Sequence, residues 1–240
     1  MTAPGVELAG RGLIDGVPLF GPVELRLAAG QWTCVLGPSG VGKSTILRLI
    51  AELPTGVGFE GTIRATDGAP LAGRIALMAQ SDLLLPWLDV LGNVLVGARM
   101  RGEPPDTARA RAMVARVGLG GRDGERPRHL SGGERQRVAL ARTLMENRPV
   151  VLLDEPFSAL DARTRAEMQV LAAELLSGRT VLLVTHDPAE AARLGHRILV
   201  LTETGLAEIP PPPSPPVRPV GDPDAFACQT ALYRAIGQPA

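Results

Sequence analysis

The chain contains continuous apolar runs as well as segments in which apolar and polar residues alternate. The runs Trp32 to Leu36, Val150 to Leu153 and Val181 to Val184 are almost entirely apolar. Strands of this kind are covered on both faces, as in parallel sheets flanked by helices. Between Val23 and Leu27 apolar and charged residues alternate, as in an antiparallel strand with one wet face. The pattern therefore predicts an α/β fold with a parallel sheet, preceded by an antiparallel β subdomain in residues 1–30.

Other segments carry apolar residues at helical spacing. Two of them, Ser44 to Glu52 and Arg163 to Leu176, follow predicted strands. The longest extends from about residue 84 to residue 148, where Ala, Arg, Met and Leu replace the strand-like runs. Turns at 102–105 and 118–121 interrupt it. We interpret this stretch as a small helical insert.

The C-terminal part of the chain differs from the rest in composition. Residues 210–216 read Pro-Pro-Pro-Pro-Ser-Pro-Pro, which favours extended polyproline II structure and a stiff linker over a Pro-rich binding motif. A short helix is predicted over Ala225 to Ile236, either packed on the core or tethered to a partner. We therefore divide the chain into a main domain of residues 1–205 and a linker with tail of residues 206–240.

Composition narrows the class of protein. Acidic and basic residues balance at 25 each, and without a basic stripe we expect no nucleic-acid partner. The two cysteines, Cys34 and Cys228, predict neither a disulfide framework nor a metal cluster, which fits a reducing compartment. Met1 to Glu7 lacks the features of a secretion signal, and no apolar run reaches the ~20 residues of a spanning helix. Any role at a membrane is therefore expected to depend on a partner.

A phosphate-binding motif lies between a predicted strand and a predicted helix. It contains the only lysine of the chain and reads Gly37-Pro38-Ser39-Gly40-Val41-Gly42-Lys43-Ser44. This segment satisfies G-x-x-x-x-G-K-[ST], in which backbone N–H groups surround phosphate oxygens and the lysine reaches the terminal phosphates. The following helix would direct its positive N-terminus at the same anion.

Two carboxylates follow the second apolar run, at Asp154 and Glu155. The carboxyl end of a strand is where open α/β sheets bind their ligands. Mg²⁺ prefers oxygen ligands, so we expect Asp154 and the hydroxyl of Ser44 to hold it, which leaves Glu155 to orient or deprotonate a water. The alternative interpretation is that the Asp-Glu pair only solvates the end of the strand, as it would if it were isolated.

A third motif lies between these two and reads Leu130-Ser131-Gly132-Gly133-Glu134-Arg135-Gln136-Arg137. It resembles the signature of ATP-binding cassette (ABC) proteins, and the resemblance covers most of the chain. The matching segments, in order, are the phosphate-binding loop, Gln80, the signature, Asp154-Glu155, Ser158-Ala159-Leu160-Asp161 and His186. The resemblance implies a P-loop NTPase core. Ser131 and Glu134 also have the spacing of a capping box, so a structural role at a helix start fits them too.

The resemblance further implies an ATPase that uses ATP and Mg²⁺. Phosphate binding is implied for Gly37, Pro38, Ser39, Gly40, Val41, Gly42, Lys43, Ser44 and Thr45. Metal binding is implied for Ser44, Gln80 and Asp154. Catalysis is implied for Lys43, Gln80, Glu155 and His186. Ser131, Gly132 and Gly133 would contact the γ-phosphate held by a second copy, so the resemblance implies a homodimer of cassettes that closes on two ATP molecules.

The segment from Gln80 to Val94 resembles the cassettes of nitrate, sulfonate and taurine importers and of thiamine-precursor importers, chiefly through Leu85-Pro86-Trp87. This resemblance implies a transmembrane permease partner, an extracytoplasmic solute-binding protein and a peripheral position on the cytoplasmic face of the cell membrane. The transported solute is chosen by those partners. Trp87 would be a docking anchor, or alternatively a core residue in a hydrophobic turn.

Two other classes compete with an importer ATPase. A soluble cassette that acts on nucleic acid or ribosomes would normally carry paired cassettes, a coiled-coil insert or a basic patch, and the sequence has none of these. A nucleotide-dependent interaction subunit without hydrolysis is disfavoured because Lys43, Glu155 and His186 are all present.

The sequence departs from the family pattern at the adenine site. Cassettes usually stack adenine on an aromatic residue some 25 to 30 positions before the loop lysine, but residues 9–18 contain no aromatic. Arg11, Leu13 and Phe20 are the candidate substitutes. We therefore do not count on the roughly 0.5–1.5 kcal/mol that aromatic stacking would contribute to the binding of adenine.

Overall fold

The continuous apolar runs form the centre of a sheet in the computed structural model, which describes residues 3–202 and 205–237. Along these residues the strands are β1 (Val6–Ile14), β2 (Val17–Leu27), β3 (Trp32–Leu36), β4 (Gly58–Ala65), β5 (Ile75–Met78), β6 (Val150–Asp154), β7 (Thr180–Val184), β8 (Arg197–Thr202) and β9 (Gly205–Ile209). The larger sheet has the order β5-β6-β7-β3-β8-β9. Strands β6, β7, β3 and β8 pair in parallel, and β9 is antiparallel to β8. All residues of β3, β6 and β7 are buried, and the predicted parallel sheet is confirmed.

The N-terminal strands form a separate antiparallel sheet of order β2-β1-β4. In β2 the side chains of Val23, Leu25 and Leu27 are buried, while Glu24 and Arg26 between them are exposed. This alternation is the one read from the sequence, and the predicted antiparallel β subdomain is confirmed.

The helices in the described residues are α1 (Lys43–Ile50), α2 (Val90–Val94), α3 (Val96–Met100), α4 (Thr107–Arg116), α5 (Gly132–Met145), α6 (Ala162–Leu175), α7 (Pro188–Leu194) and α8 (Pro223–Ala235). Four of them, α2 to α5, lie within the predicted insert. None of the helices that the structure describes is long and apolar enough to cross a membrane.

The chain divides into two compact units. The first combines Met1–Leu77, Arg148–Glu155 and Ser177–Ala240, apart from the positions outside the described ranges, and contains both sheets. The second combines Met78–Asn147 and Pro156–Leu176 and contains α2 to α6. The phosphate-binding motif belongs to the first unit, and the signature to the second.

The C-terminal segment packs on the first unit through α8, which contacts α7 and buries Leu232 and Cys228. Arg218, only 2 % exposed, donates hydrogen bonds to the carbonyls of Ala192 and Gly195 at the end of α7, at 2.9 and 2.8 Å. It also donates to the carbonyls of Ser214 and Pro212 within the segment. Of the two alternatives for the tail helix, the structure has the packed one. The boundary at residue 205 stays a prediction, and the larger sheet continues through β9.

Candidate active site

The phosphate-binding motif connects the end of β3 to the start of α1. Gly42 caps α1 with φ of 102°, and no side chain bonds to the helix start. The first N–H groups of the helix are thus not taken by a capping side chain, as an anion site requires. A Cβ atom at Gly37 would lie 2.3 Å from the carbonyl oxygen of Leu201, so only glycine fits where the loop leaves the sheet.

Lys43 is 8 % exposed and lies inside the loop that contains it. Its Nζ atom donates hydrogen bonds to the carbonyls of Gly37 and Pro38, both at 2.8 Å. Burial lowers the pKa of Lys43, while the carboxylates of Glu155 and Asp154 raise it. The ammonium is therefore held over the loop by weak neutral acceptors that phosphate oxygens can replace.

Asp154, the last residue of β6, is 7 % exposed. Its side chain accepts a hydrogen bond from the hydroxyl of Ser44, but its Oδ1 atom has no hydrogen-bond partner. Burial raises the pKa of Asp154, and the Ser44 hydroxyl lowers it. A buried carboxylate oxygen without a partner is costly, and a hard divalent cation would satisfy it. The residues present therefore fit the Mg²⁺ that the sequence predicts.

Glu155 follows directly and adopts a left-handed backbone with φ of 47°, fixed by a 2.9 Å hydrogen bond from its N–H to the carbonyl of Val184. Non-glycine residues in this region are strained and cluster at functional sites. The Oε2 atom of Glu155 lies 3.0 Å from Nδ1 of His186. The structure thus brings two of the four predicted catalytic side chains together.

The turn that carries His186 is fixed from both sides by residues that the sequence analysis missed. The hydroxyl of Thr185 donates to the carboxylate of Glu190 at 2.7 Å and accepts from the N–H of Asp187 at 3.0 Å. Asp187 in turn caps α7 through the N–H of Ala189, at 2.8 Å. The Thr185 and Glu190 side chains are buried. The sequence feature that could have indicated this contact is the acidic residue shortly after Thr-His-Asp.

The signature begins α5 in the second unit. Ser131 caps the helix, accepting from the N–H of Glu134 at 3.3 Å, while the Glu134 carboxylate accepts from the N–H of Ser131 at 2.7 Å. The predicted capping box is therefore present, and Glu134 also pairs with Arg122. At Gly133 a Cβ atom would lie 3.2 Å from the carbonyl oxygen of Ala159, so the helix start packs closely against that turn.

Comparison with known proteins decides the family. The family model for ABC transporters matches residues 20–158, more than half of the chain. The chain belongs to the ABC transporter family.

Two curated relatives illustrate the likeness. An aliphatic sulfonates import ATP-binding protein of Rhodococcus jostii is 46 % identical over 84 % of this chain and 81 % of its own length. An uncharacterized ABC transporter ATP-binding protein of Haemophilus influenzae is 40 % identical over 93 % of this chain and 94 % of its own.

Solved structures agree with the family. One is an ATP-binding cassette in a dimeric post-hydrolysis state with ADP and Pi. It is 30 % identical to this chain with a TM-score of 0.73, and the match covers 90 % of this chain and 100 % of that cassette. A bacterial Atm1-family ABC exporter with ATP bound has the same TM-score and 29 % identity, over 86 % of this chain and 38 % of the exporter chain. The P-loop NTPase core implied by the sequence resemblance is confirmed, and the chain is an ABC ATPase.

Gln80 of the cassette belongs to the second unit, as do Ser131, Gly132 and Gly133. The loop after Gln80 is held by Asn93, which is fully buried and accepts from the N–H of Leu85 at 2.7 Å. The roles of Gln80 and of the signature residues in ATP binding stay predictions.

Trp87 lies in this loop and is 67 % exposed, which excludes the alternative that it is a core residue. Leu83 on the same loop is 62 % exposed. Segment 82–87 is called the docking segment below. Two large apolar side chains on one fixed loop form the kind of surface that interfaces use as anchors.

The adenine site requires one correction. Phe20 was a candidate to stack on the base, but it is 1 % exposed, and a Cβ atom at Gly42 would lie 2.8 Å from its ring. Phe20 packs beneath the phosphate-binding loop and is not available to a nucleotide. Of the other candidates, the Nε atom of Arg11 donates to Glu60 at 2.8 Å, and Leu13 is half-buried.

Proposed function

We propose that this protein is the ATP-hydrolysing subunit of an ABC importer for an anionic organosulfur solute. The observation that carries the proposal is the assembly of Lys43, Asp154, Glu155 and His186 in one unit of a chain whose relatives include several aliphatic sulfonates import ATP-binding proteins. Among the solute classes that the sequence suggests, these names favour sulfonates over thiamine precursors.

Within the site each residue has a separate task. The N–H groups of the loop and the ammonium of Lys43 bind the β- and γ-phosphates of ATP. Ser44 and Asp154 would hold Mg²⁺, which supplies charge neutralisation at the phosphates when bound.

Glu155 orients the attacking water and accepts its proton, and His186 holds Glu155 on one side and reaches the γ-phosphate on the other. Ser131, Gly132 and Gly133 complete the site of a second copy, so that two cassettes close on two ATP molecules. Chemistry of this kind depends mainly on positioning and charge stabilisation.

The exposed docking segment supports assembly with a permease at the cytoplasmic face of the membrane. An extracytoplasmic solute-binding protein would deliver the solute to that permease. The balanced charge of the chain gives no support to the alternative of a nucleic-acid partner.

The test is transport by the complete assembly. The cassette is purified together with the permease that it binds, reconstituted in proteoliposomes, and supplied with the solute-binding protein of that permease and labelled ethanesulfonate. We expect ATP-dependent uptake that is lost in Lys43→Ala. Uptake of a thiamine precursor but not of sulfonate would overturn the solute class, and no ATP-dependent uptake of either would overturn the proposed function.

A further inference from the structure

The docking segment is attached to the signature helix by an arginine. Arg142, on the last turn of α5, donates hydrogen bonds to the carbonyl of Asp82 at 2.6 Å and to that of Leu83 at 2.8 Å. Hydrogen bonds from a guanidinium are roughly twice as strong as neutral ones. Arg142 is partly buried, and burial lowers its pKa, while the carboxylates of Asp82 and Glu146 raise it.

A second arginine of the same helix binds the side chain of Asp82. The Nε atom of Arg135 lies 3.0 Å from Oδ2 of Asp82, and its Nη1 atom donates to the carbonyl of Leu130 at 2.9 Å. Leu130 is the residue before Ser131. One guanidinium therefore connects the docking segment to the backbone that leads into the signature serine.

The backbone between these contacts is strained. Leu83 has φ of 46°, a left-handed conformation that a leucine adopts only when its surroundings impose it, and its side chain is exposed. The carbonyl of Leu83 is one of the two that Arg142 binds. The hydrogen bonds of Arg142 thus stabilise the conformation that presents Leu83 on the surface.

Helix geometry makes the two contacts act together. Arg135 and Arg142 are seven residues apart, which places them two turns apart on one face of a rigid helix. A displacement of Asp82 must therefore break these hydrogen bonds or move α5, and α5 begins at the signature.

We propose that Arg135 and Arg142 are positioning residues that make the docking segment and the signature serine move as one body. Engagement of Ser131 by nucleotide then changes the docking segment, and pressure on the docking segment changes the placement of Ser131. The inference rests on the proposed function, because it gives the permease-facing loop and the signature their roles.

The experiment uses the full-length cassette alone, with Trp87 as the reporter. The chain has two tryptophans, and Trp32→Phe in β3 leaves Trp87 as the single tryptophan. Acrylamide quenching of Trp87 is measured with and without β,γ-imido-ATP and Mg²⁺. We expect the analogue to change the quenching constant in the parent. Arg142→Met, Arg142→Lys and Asp82→Ala should each reduce that change at least three-fold at saturating analogue.

The salt bridge provides a rescue. Asp82→Arg and Arg135→Asp should each reduce the response, and the double exchange should restore at least half of it, which a general loosening of the fold would not do. Arg137→Met is the matched control, because Arg137 lies on the same helix but donates to the carbonyls of Val117 and Gly118. It should keep the response.

Hydrogen exchange of the peptide over residues 81–89, with both tryptophans present, repeats the comparison if Trp32→Phe fails to fold. Analogue binding, dimerisation by size-exclusion chromatography and thermal unfolding are measured for each variant, at a protein concentration at which the parent dimerises with the analogue. A parent that binds the analogue and dimerises without any change at Trp87 or in exchange would overturn the inference, and so would an unchanged response in the folded variants. These results come from the isolated cassette, so they differ from a failure of the proposed function, which is an absence of transport in the complete assembly.

Discussion

The Nδ1 atom of His186 lies 3.0 Å from the Oε2 atom of Glu155. Glu155 directly follows β6, and His186 follows its parallel neighbour β7. The Glu155 side chain is 16 % exposed and that of His186 is 61 % exposed, so the carboxylate is fixed while the imidazole has one free face. The imidazole of His186 can therefore hold the general base Glu155 on one side and contact a phosphate on the other.

Glu155→Gln should remove turnover but not ATP binding, because an amide cannot accept the proton while the loop around Lys43 is unchanged. We expect kcat to fall by roughly 10²–10⁴-fold and the ATP-bound dimer to accumulate. ATPase assays and size-exclusion chromatography with ATP measure the two effects. Glu167→Gln, at an exposed glutamate of α6, is the control and should behave as wild type. Wild-type turnover in Glu155→Gln would remove Glu155 from catalysis.

Lys43→Ala and Ser131→Arg subunits, each inactive alone, should recover ATPase activity when mixed. One subunit contributes its loop and the other its signature, so a heterodimer has one intact composite site. With equal mixing about half of the dimers are heterodimers, so the sample contains about a quarter of the intact ATP sites of the wild-type protein. ATPase activity as a function of mixing ratio is the measurement. Heterodimers shown to form without any activity would indicate that loop and signature act within one chain.

Trp87→Ala should leave stability nearly unchanged and weaken assembly with the permease. An exposed side chain costs about 0.5 kcal/mol or less on removal, whereas an interface anchor is worth ~2 kcal/mol or more. Trp32→Ala is the matched contrast, because Trp32 is 4 % exposed and its loss should cost ~3–5 kcal/mol. Thermal unfolding measures the loss of stability, and a pull-down with the permease measures the loss of binding. Unchanged permease binding by Trp87→Ala would contradict the docking assignment.

Arg218→Ala should destabilise the first unit by about 3 kcal/mol, since it leaves four backbone carbonyls without their charged donor. Arg234→Ala, at an exposed position of α8, should change stability little. Thermal unfolding measures both. Reaction of the buried thiol of Cys228 with a thiol reagent should also become faster in Arg218→Ala alone. Equal stability of the two variants would show that the tail does not depend on Arg218.

The parts of the structure that depend on local pattern could be predicted from the sequence. The continuous runs of β6 and β7 required burial on both faces, and the glycines at 37 and 42 required a loop between strand and helix. Asp154 and Glu155 could be placed because the end of a buried strand faces the ligand side of a parallel sheet.

The remaining features depend on contacts between distant parts of the chain. Phe20 was wrongly kept as a partner for adenine, because its packing against Gly12 and Gly42 joins three segments that no periodicity relates. The bond between Arg142 and the strained Leu83 spans 59 positions and has no local signal. Sequence motifs thus indicated the reacting groups but not the residues that hold them in place.

The single lysine has a consequence for labelling the protein. An acylating reagent encounters one side-chain amine along the whole chain, and that amine lies against the carbonyls of Gly37 and Pro38. The decrease in the acylation rate of Lys43 when nucleotide is added therefore becomes a direct mass-spectrometric measure of how much of the protein holds nucleotide, without a background of competing lysines.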